Sequence, residues 1–412
     1  MKLNSNIIRR IQSIISISWK KNLLLISLSQ FLAMVGMSAV VPFMPLYVVE
    51  LGVKDLETAK LWSGFVFAGP YFLSIITVPI WGYLGDKFGK KLMILRAVFG
   101  LSIAVFLMGY AQNVYQLFGL RVFQGAVSGV IAAALAFTAS NTPQEHSGYA
   151  IGILQCSQSA GNILGPFIGG LISDFIGIRF TFIFVALLIL ISGILVLFFV
   201  KEKKVYLSNL INNNNNNFLD NLKIIINNKF LIYLMVLLIL AQAGIQFTNP
   251  IFPFFVSSLG APKYLISTIT GLLIGIIGLM SVLFAPYWGR RNDRKDFRKT
   301  LFISSSIIGI SSILHIIVPN YLWLIPLRVI IGIFFAAIIP TLYSTINKNS
   351  SADNKGSTMG LASSANLLGS LFAFVFCGII SSQFGLNVTF IIAGLLLLTV
   401  SFSTKLPIFA KQ

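Results

Sequence analysis

The sequence predicts an all-α membrane protein: twelve transmembrane helices in two parallel six-helix repeats, with both termini in the cytoplasm. Three observations lead there. Of 412 residues, 56% are hydrophobic and only 10% charged, against about 25% charged in an ordinary soluble domain. The apolar residues gather into stretches of about 20 or more, the length that crosses a bilayer as a helix. Landmarks of the first half also return, in order, in the second. A chain so poor in charge cannot cover its own surface in water, and that excludes the soluble enzyme folds.

Apolar stretches bounded by charge or turn residues place the first six spans at 22–49, 61–84, 92–111, 115–140, 147–174 and 178–200. The second six fall at 230–257, 264–288, 300–318, 321–347, 357–382 and 386–406. The 30 Lys and Arg outnumber the 11 Asp and Glu, a formal net charge of +19. Such an excess can mark nucleic acid, anionic lipid or membrane topology. Position decides between them. Arg96, Arg121 and Arg328 fall within spans, and only Lys54, Lys60, Arg179 and Lys263 lie on one face. All the other basic residues lie on the opposite face, together with both termini. By the positive-inside rule that face is cytoplasmic, and a nucleic-acid partner is excluded.

Four parts follow. Residues 1–21 carry Ile7, Ile8, Ile11, Ile14 and Ile15 on one helical face, the pattern of a cytoplasmic amphipathic segment in the membrane interface. Residues 22–200 form the first six-helix bundle and 230–412 the second. Between them, 201–229 is a cytoplasmic Asn-rich linker containing an Asn run at 212–217, a polar tract suited to tethering. Cys156 and Cys377 lie inside apolar stretches as packing residues. Two histidines and two cysteines give no metal-ligand spacing, so no metal and no cofactor is expected.

The internal repeat is specific. Pro42, Pro45 and Gly52 return as Pro250, Pro253 and Gly260, and Pro79, Trp81 and Gly82 as Pro286, Trp288 and Gly289. Arg121 and Gly125 return as Arg328 and Gly332, and Gly148 and Gly152 as Gly356 and Gly360. Gly170, Ser173, Gly177, Thr181 and Phe182 return as Gly378, Ser381, Gly385, Thr389 and Phe390. Parallel repeats about an axis along the membrane normal are the plan of alternating-access carriers, with the substrate site near midplane between the halves. The expectation is a carrier, not an enzyme.

The strongest local signal is the loop after span two, Gly82, Gly85, Asp86, Lys87, Gly89, Lys90 and Lys91. Its glycines allow tight turning, and Asp86 is placed to accept from a helix N-terminus or to pair with a cation. The repeat copy keeps the acid and the basic residues but loses the second and third glycines. In span five, Gly161, Gly165 and Gly169 recur every fourth residue on one face, with Gly170 beside them. Small residues there let a neighbouring backbone come close, and Pro166 favours a bend. Arg121 is a cation within a span, where charge is costly and marks function.

These stretches resemble the major facilitator superfamily. The loop at Gly82–Lys91 is similar to that family's signature loop, and Arg121, Gln124 and Gly125 to its fourth-helix motif. The run from Gly161 through Gly165, Pro166, Gly169 and Gly170 is similar to the fifth-helix motif of its twelve-span drug/proton antiporters. From Trp19 to Arg121 the chain resembles the bacterial multidrug-efflux subgroup associated with fosfomycin and deoxycholate resistance. The resemblance implies the major facilitator fold, export by proton antiport, and a multi-pass location in the cytoplasmic (inner) membrane of a bacterium. It assigns gating and coupling to the loop and to Arg121, Gln124 and Gly125. A structural anchor for carbonyls stands as the other reading of Arg121. A metabolite or sugar carrier of the same fold is the alternative to efflux. The expected partners are a small-molecule substrate, protons and the lipid bilayer, and the expected state is a monomer.

Polar stripes nominate a cavity: Gln30, Met34 and Ser38 on span one, Gln155, Gln158 and Asn162 on span five, and Gln242, Gln246 and Asn249 on span seven, with Arg328 from span ten. Interhelical hydrogen bonding is the competing reading of each stripe. All the acids lie in loops or at span ends; none is in mid-membrane. Cation exporters of the resembled family carry an embedded carboxylate, so this departure points to neutral, amphipathic or anionic cargo. It also restricts any proton carrier to Asp86, Glu50, Asp174 or a histidine.

Overall fold

The computed structural model describes residues 3–202, 228–294, 296–350 and 355–405. Most of the expected linker, 203–227, lies outside the described residues. So do the side chains of the N-terminal isoleucines and of Asp86.

Among the described residues the chain is helical throughout, without strands. The first half comprises α1 (Leu3–Ala39), α2 (Met44–Glu50), α3 (Leu56–Phe88), α4 (Lys90–Gly109), α5 (Val114–Ala126), α6 (Val130–Asn141), α7 (Ser147–Phe175) and α8 (Ile178–Phe199). The second comprises α9 (Lys229–Gln246), α10 (Phe252–Ser258), α11 (Ile266–Arg294), α12 (Phe297–Leu314), α13 (Leu324–Lys348), α14 (Lys355–Phe384) and α15 (Leu386–Ser403). Helix α1 runs unbroken from Leu3 through Asn22, so its backbone shows no boundary between the N-terminal segment and the first span.

Eleven described helical segments are long and apolar enough to cross a bilayer. The twelfth expected span, α7, has the length but not the hydropathy. Gln155, Gln158, Asn162 and a series of glycines dilute it. Its surroundings explain why this is tolerated: α7 packs along α1 on one side and α11 on the other, so much of its surface meets protein rather than lipid.

The repeat is visible in backbone geometry. Gly52 and Gly260 both take positive φ, 99° and 80°, as do Gly177 and Gly385, at 110° and 84°. Those values are open to glycine and strained for other residues. Trp81 Nε1 donates to Ala126 O and Trp288 Nε1 to Ile333 O, each at 2.7 Å. Gly125 lies against the Pro70 carbonyl, and a Cβ at Gly332 would sit 2.9 Å from the Ile277 carbonyl oxygen. In both halves the fourth span therefore packs backbone-to-backbone on the second.

The fourth span, expected over 115–140, is found at Val114–Asn141 and is interrupted between α5 and α6. Gly129 is left-handed there, with φ +111°, so the helix cannot wind through. Three side-chain donors reach carbonyls at the interruption. Thr77 Oγ1 donates to Gly125 O at 3.0 Å, Trp81 Nε1 to Ala126 O, and Arg96 Nη2 to Ser128 O at 2.9 Å.

The halves join away from the basic face. Helix α7 meets α11 and α3 meets α14, with contacts concentrated where Gly170 packs on the Ser267 carbonyl and Gly271 on that of Pro166. A Cβ at Gly64 would lie 2.6 Å from Gly378 Cα. One buried apolar cluster runs across this seam, from Met44, Val66 and Phe67 to Phe252, Phe374 and Cys377. A second, from Leu231 to Val400, belongs to the second half alone.

Candidate functional site

A cavity of about 580 Å³ lies between the halves. Its polar lining includes Arg121 and Gln124 from α5, Ser74 and Tyr71 from α3, Gln246 at the end of α9 and Asn249 just beyond it. Phe67, Tyr71 and Phe374 close it toward the seam, with ring centroids 5.5 Å (Phe67–Phe374) and 5.4 Å (Tyr71–Phe374) apart. No carboxylate is among its lining residues.

Arg121 is held in place by the helices around it. Its Nε donates to Val66 O at 3.0 Å and Nη1 to Gln124 Oε1 at 2.8 Å, and its guanidinium lies 5.9 Å from the Phe67 ring centroid. A Cβ at Gly69 would press to 2.8 Å of Arg121 Cβ, so a glycine in α3 makes room for the arginine stem. Among the described residues no acid pairs with it; the ion pairs are Lys60–Glu57, Arg179–Glu50 and Arg298–Asp296. A buried guanidinium facing a cavity without a counter-charge offers its charge to whatever enters.

The structure divides the sequence-nominated cavity residues. Arg121, Gln124, Gln246 and Asn249 come together, with Asn249 Nδ2 donating to Gln246 Oε1 at 2.6 Å. Gln30, Met34, Ser38 and Gln158 are instead consumed in the α1–α7 seam. Gln158 Nε2 donates to Gln30 Oε1 at 3.1 Å, and Ser38 Oγ to Met34 O at 2.7 Å and Gly161 O at 3.1 Å. Gln242 Nε2 donates to Ser370 Oγ at 3.0 Å, joining α9 to α14. Gln155 and Asn162 are exposed and not among the lining residues. Arg328 is also absent from the lining; its guanidinium stacks 3.7 Å over the Phe252 ring.

The glycine stripe of α7 packs on α1. A Cβ at Gly161 would lie 2.7 Å from Phe31 O, one at Gly165 would lie 2.6 Å from Val35 O, and Gly169 abuts the Ala39 carbonyl. Pro166 and Gly170 turn the other way, toward Gly271 and Ser267 of α11. Beyond them the Asp174 carboxylate accepts from Ser267 N at 3.3 Å, Thr268 N at 2.7 Å and Thr268 Oγ1 at 2.8 Å. An acid ending α7 thus caps the first turn of α11 in the other half, where a negative charge is favoured.

At the basic face, the signature loop is anchored within the first half. Glu202 accepts from Lys90 N at 2.8 Å and Lys91 N at 3.1 Å, and Lys91 Nζ donates to Leu197 O at 2.8 Å. Gly89, at φ +104°, leaves room for that carboxylate; a Cβ would stand 3.0 Å from Glu202 Oε2. Gly82, Gly85 and Lys90 border a small pocket beside Trp81 and Arg96. Lys87 is exposed, its Nζ 5.4 Å from the Phe88 ring centroid.

Sequence reasoning missed the aromatic closure, Ser74 and the interruption of the fourth span. One signal for the interruption was present: Thr77 and Trp81 share a face of α3 one turn apart, aimed at Gly125 and Ala126. Arg96, whose position near a span end suggests snorkelling to the interface, instead lays its guanidinium 3.6 Å over Trp81 and caps Ser128.

Two helical halves that enclose a polar-lined cavity and join away from the basic face have the plan of an alternating-access carrier. The chain belongs to the Major Facilitator Superfamily, whose family model matches residues 26–280 and 234–409. It is similar to Multidrug resistance protein MdtG of Proteus mirabilis (strain HI4320), 33% identical over 332 residues that cover 81% of this chain and 82% of the relative. The protein of that name from Klebsiella pneumoniae (strain 342) is 31% identical over 389 residues, 94% of each chain. Among solved structures, the nucleoside transporter NupG superposes with a TM-score of 0.78 at 15% identity, covering 93% of this chain and 98% of that one. A D-xylose-proton symporter gives 0.71 at 16% identity, covering 93% and 96%. At such identities the likeness speaks for the fold.

Proposed function

We propose that this protein is a multidrug exporter of the bacterial cytoplasmic membrane, moving small lipophilic or amphipathic compounds outward by alternating access and driven by inward proton flow. The observation that supports this most directly is the cavity between the halves, polar at Arg121, Gln124, Gln246 and Asn249, aromatic elsewhere, and without a carboxylate. Such a lining disfavours cationic cargo and suits neutral or anionic compounds with apolar bodies. Kinship with the multidrug resistance proteins supports export over uptake.

In this reading the basic face and both termini are cytoplasmic, and the bundles at 22–200 and 230–412 rock about the linker at 201–229 as a monomer. The conformation described is closed on the outside, where Asp174, Phe67, Tyr71 and Phe374 join the halves. Gly161, Gly165, Pro166, Gly169 and Gly170 form the seam along which α1, α7 and α11 shift. Because no acid borders the cavity, the proton acts at a gate. Asp86 at the inner face and Asp174 at the outer face are the two acids to test, since coupling requires a group whose contacts differ between the two states.

A drug-susceptibility panel in an efflux-deficient host, followed by flux in proteoliposomes with and without a pH gradient, tests the proposal. Export that follows the gradient is expected, with Arg121→Lys lowering it about tenfold because a single ammonium cannot replace the guanidinium fork. Preferred export of a permanent quaternary cation overturns the cargo class. Transport indifferent to the gradient overturns proton drive.

A further inference from the structure

Each half holds a pair of bonded side-chain amides within its spans, and the two pairs end differently. In the first half Gln158 Nε2 donates to Gln30 Oε1 at 3.1 Å. The Gln30 Nε2 left over is sealed inside the protein without a partner. In the second half Asn249 Nδ2 donates to Gln246 Oε1 at 2.6 Å. That bond leaves the Gln246 Nε2 donor and the Asn249 Oδ1 acceptor unused by any described residue. Both residues are half-buried and line the cavity, and neither free atom is sealed as Gln30 Nε2 is.

The backbone holds the second pair in position. Gln246 ends α9, and Asn249 opens the short turn Asn249–Ile251 that precedes α10. Phe247 and Thr248 between them are buried, Pro250 has a fixed φ, and the turn packs on α3 and on α14. The repeat positions, Ser38 and Val41, offer no such pair. Ser38 Oγ donates to Met34 O and Gly161 O, and Val41 is apolar. The same cavity is lined by Met37, Val41, Phe67, Leu367 and Phe374. When cargo displaces water there, the free donor and acceptor must both be met, because an unmet group keeps its full desolvation cost. An ester or ketone serves the donor alone. A carboxamide or lactam serves both through adjacent atoms.

We propose that Gln246 and Asn249 recognise a neutral carboxamide or lactam group on the cargo. Gln246 Nε2 donates to the carbonyl oxygen of that group, and the group's own N–H donates to Asn249 Oδ1. A site built to hydrogen-bond a group rejects the analogue that lacks it. Cargo held there touches a turn wedged between α3 of one half and α14 of the other, at the seam that parts when the carrier opens outward. This inference rests on the export reading and specifies the class of neutral cargo within it.

The test uses the full chain in nanodiscs, with empty nanodiscs subtracted, and two neutral probes of one skeleton, 1-naphthaleneacetamide and methyl 1-naphthaleneacetate. Wild type is expected to bind the amide about tenfold more tightly, the worth of one acceptor otherwise left unmet. Gln246→Met combined with Asn249→Leu removes both groups at similar volume and abolishes the preference. Gln242→Leu, in the same span but outside the cavity lining, keeps it. Equal affinity of wild type for the two probes overturns the site, as does a preference that survives in the double variant. The wild-type ratio is read without any variant, so misfolding of the double variant does not shield the proposal. A wild-type chain that exports compounds yet prefers neither probe overturns the amide site while leaving export standing. Failure to export any compound of the susceptibility panel overturns the export reading itself.

Discussion

The fourth span of the first half stops at Ala126 and restarts at Val130, whereas its repeat partner runs from Leu324 to Lys348 without interruption. The two share their packing: Gly125 and Gly332 each press on the second helix of their half, and Trp81 and Trp288 each donate to the same relative carbonyl. Three differences between the halves bear on the interruption. Gly129, Thr77 and Arg96 stand where the second half has Ala336, Phe284 and Ile303. Without the left-handed glycine the helix continues, and without Arg96 an interruption would leave the Ser128 carbonyl without its donor. The halves thus keep a common scaffold while the cavity's charge gathers in the first. Arg121 reaches the cavity, whereas Arg328 stacks on Phe252 outside its lining.

The sharpest way to break this comparison is at the seams. Gly169→Val drives a side chain into the Ala39 carbonyl and is expected to cost about 3 kcal/mol, as overpacking does. The repeat position is Cys377, buried but with side-chain volume already there, so Cys377→Val costs less than about 1.5 kcal/mol. Thermal unfolding in detergent compares the two. Equal losses would mean that the halves are packed alike.

The next effect is at the seam between the halves, away from the basic face. Asp174 reaches across to α11, while Ser382, its repeat partner, donates only to Ile379 O in its own helix. Asp174→Ala removes charge-assisted bonds worth about 2 kcal/mol and shifts the population toward the outward-open state more than tenfold. Labelling of a Ser267→Cys reporter by an impermeant maleimide, in a Cys156→Ser background, reads the shift. Ser382→Ala is expected to leave labelling unchanged.

Smaller again is the tryptophan pair. Trp81→Phe strips a donor from a carbonyl that the interrupted helix cannot serve, at about 1 kcal/mol. Trp288→Phe costs less, because Ile333 lies within a continuous helix. Melting temperatures of the two variants order the effects, and a reversed order would deny that the interruption needs its donors.

The smallest effect separates the ends of the second and eighth spans. Asp55 caps α3 through Thr58 N at 2.8 Å and Thr58 Oγ1 at 2.6 Å, while the repeat position holds Lys263. The Thr58 hydroxyl, then its amide, hold the exposed Asp55 carboxyl below its ordinary value of 3.8. A depressed carboxylate contributes stability above the unfolded value and loses it as pH falls through the folded one. Wild type and Asp55→Ala should therefore differ slightly in melting temperature at neutral pH and converge below about pH 3.8. A difference that persists in acid would assign the effect to packing.

Hydropathy and charge made most of the fold legible, and the repeat made its symmetry legible, since membrane length and the cost of buried charge act on any sequence. The site was legible in part. Arg121 and Gln124 stood out because polar groups in spans are costly, and they do line the cavity. Gln30 and Gln158 stood out for the same reason yet bond to each other, because a polar side chain within a span is satisfied equally well by a neighbouring helix. Phe67, Tyr71 and Phe374 were silent: an aromatic residue in an apolar helix carries no mark of the face it presents.

By itself, then, the amino-acid sequence determined that the chain spans a membrane repeatedly, in two related halves, with its basic residues on one face. The bilayer as solvent imposes those features segment by segment. Only the tertiary structure decided which polar stripe meets the cavity, that α7 joins the halves despite its low hydropathy, and that the fourth span breaks at Gly129. Those outcomes depend on partners far apart in the chain, such as Thr77 with Gly125, Arg96 with Ser128 and Asp174 with Thr268, whose distances no local pattern encodes.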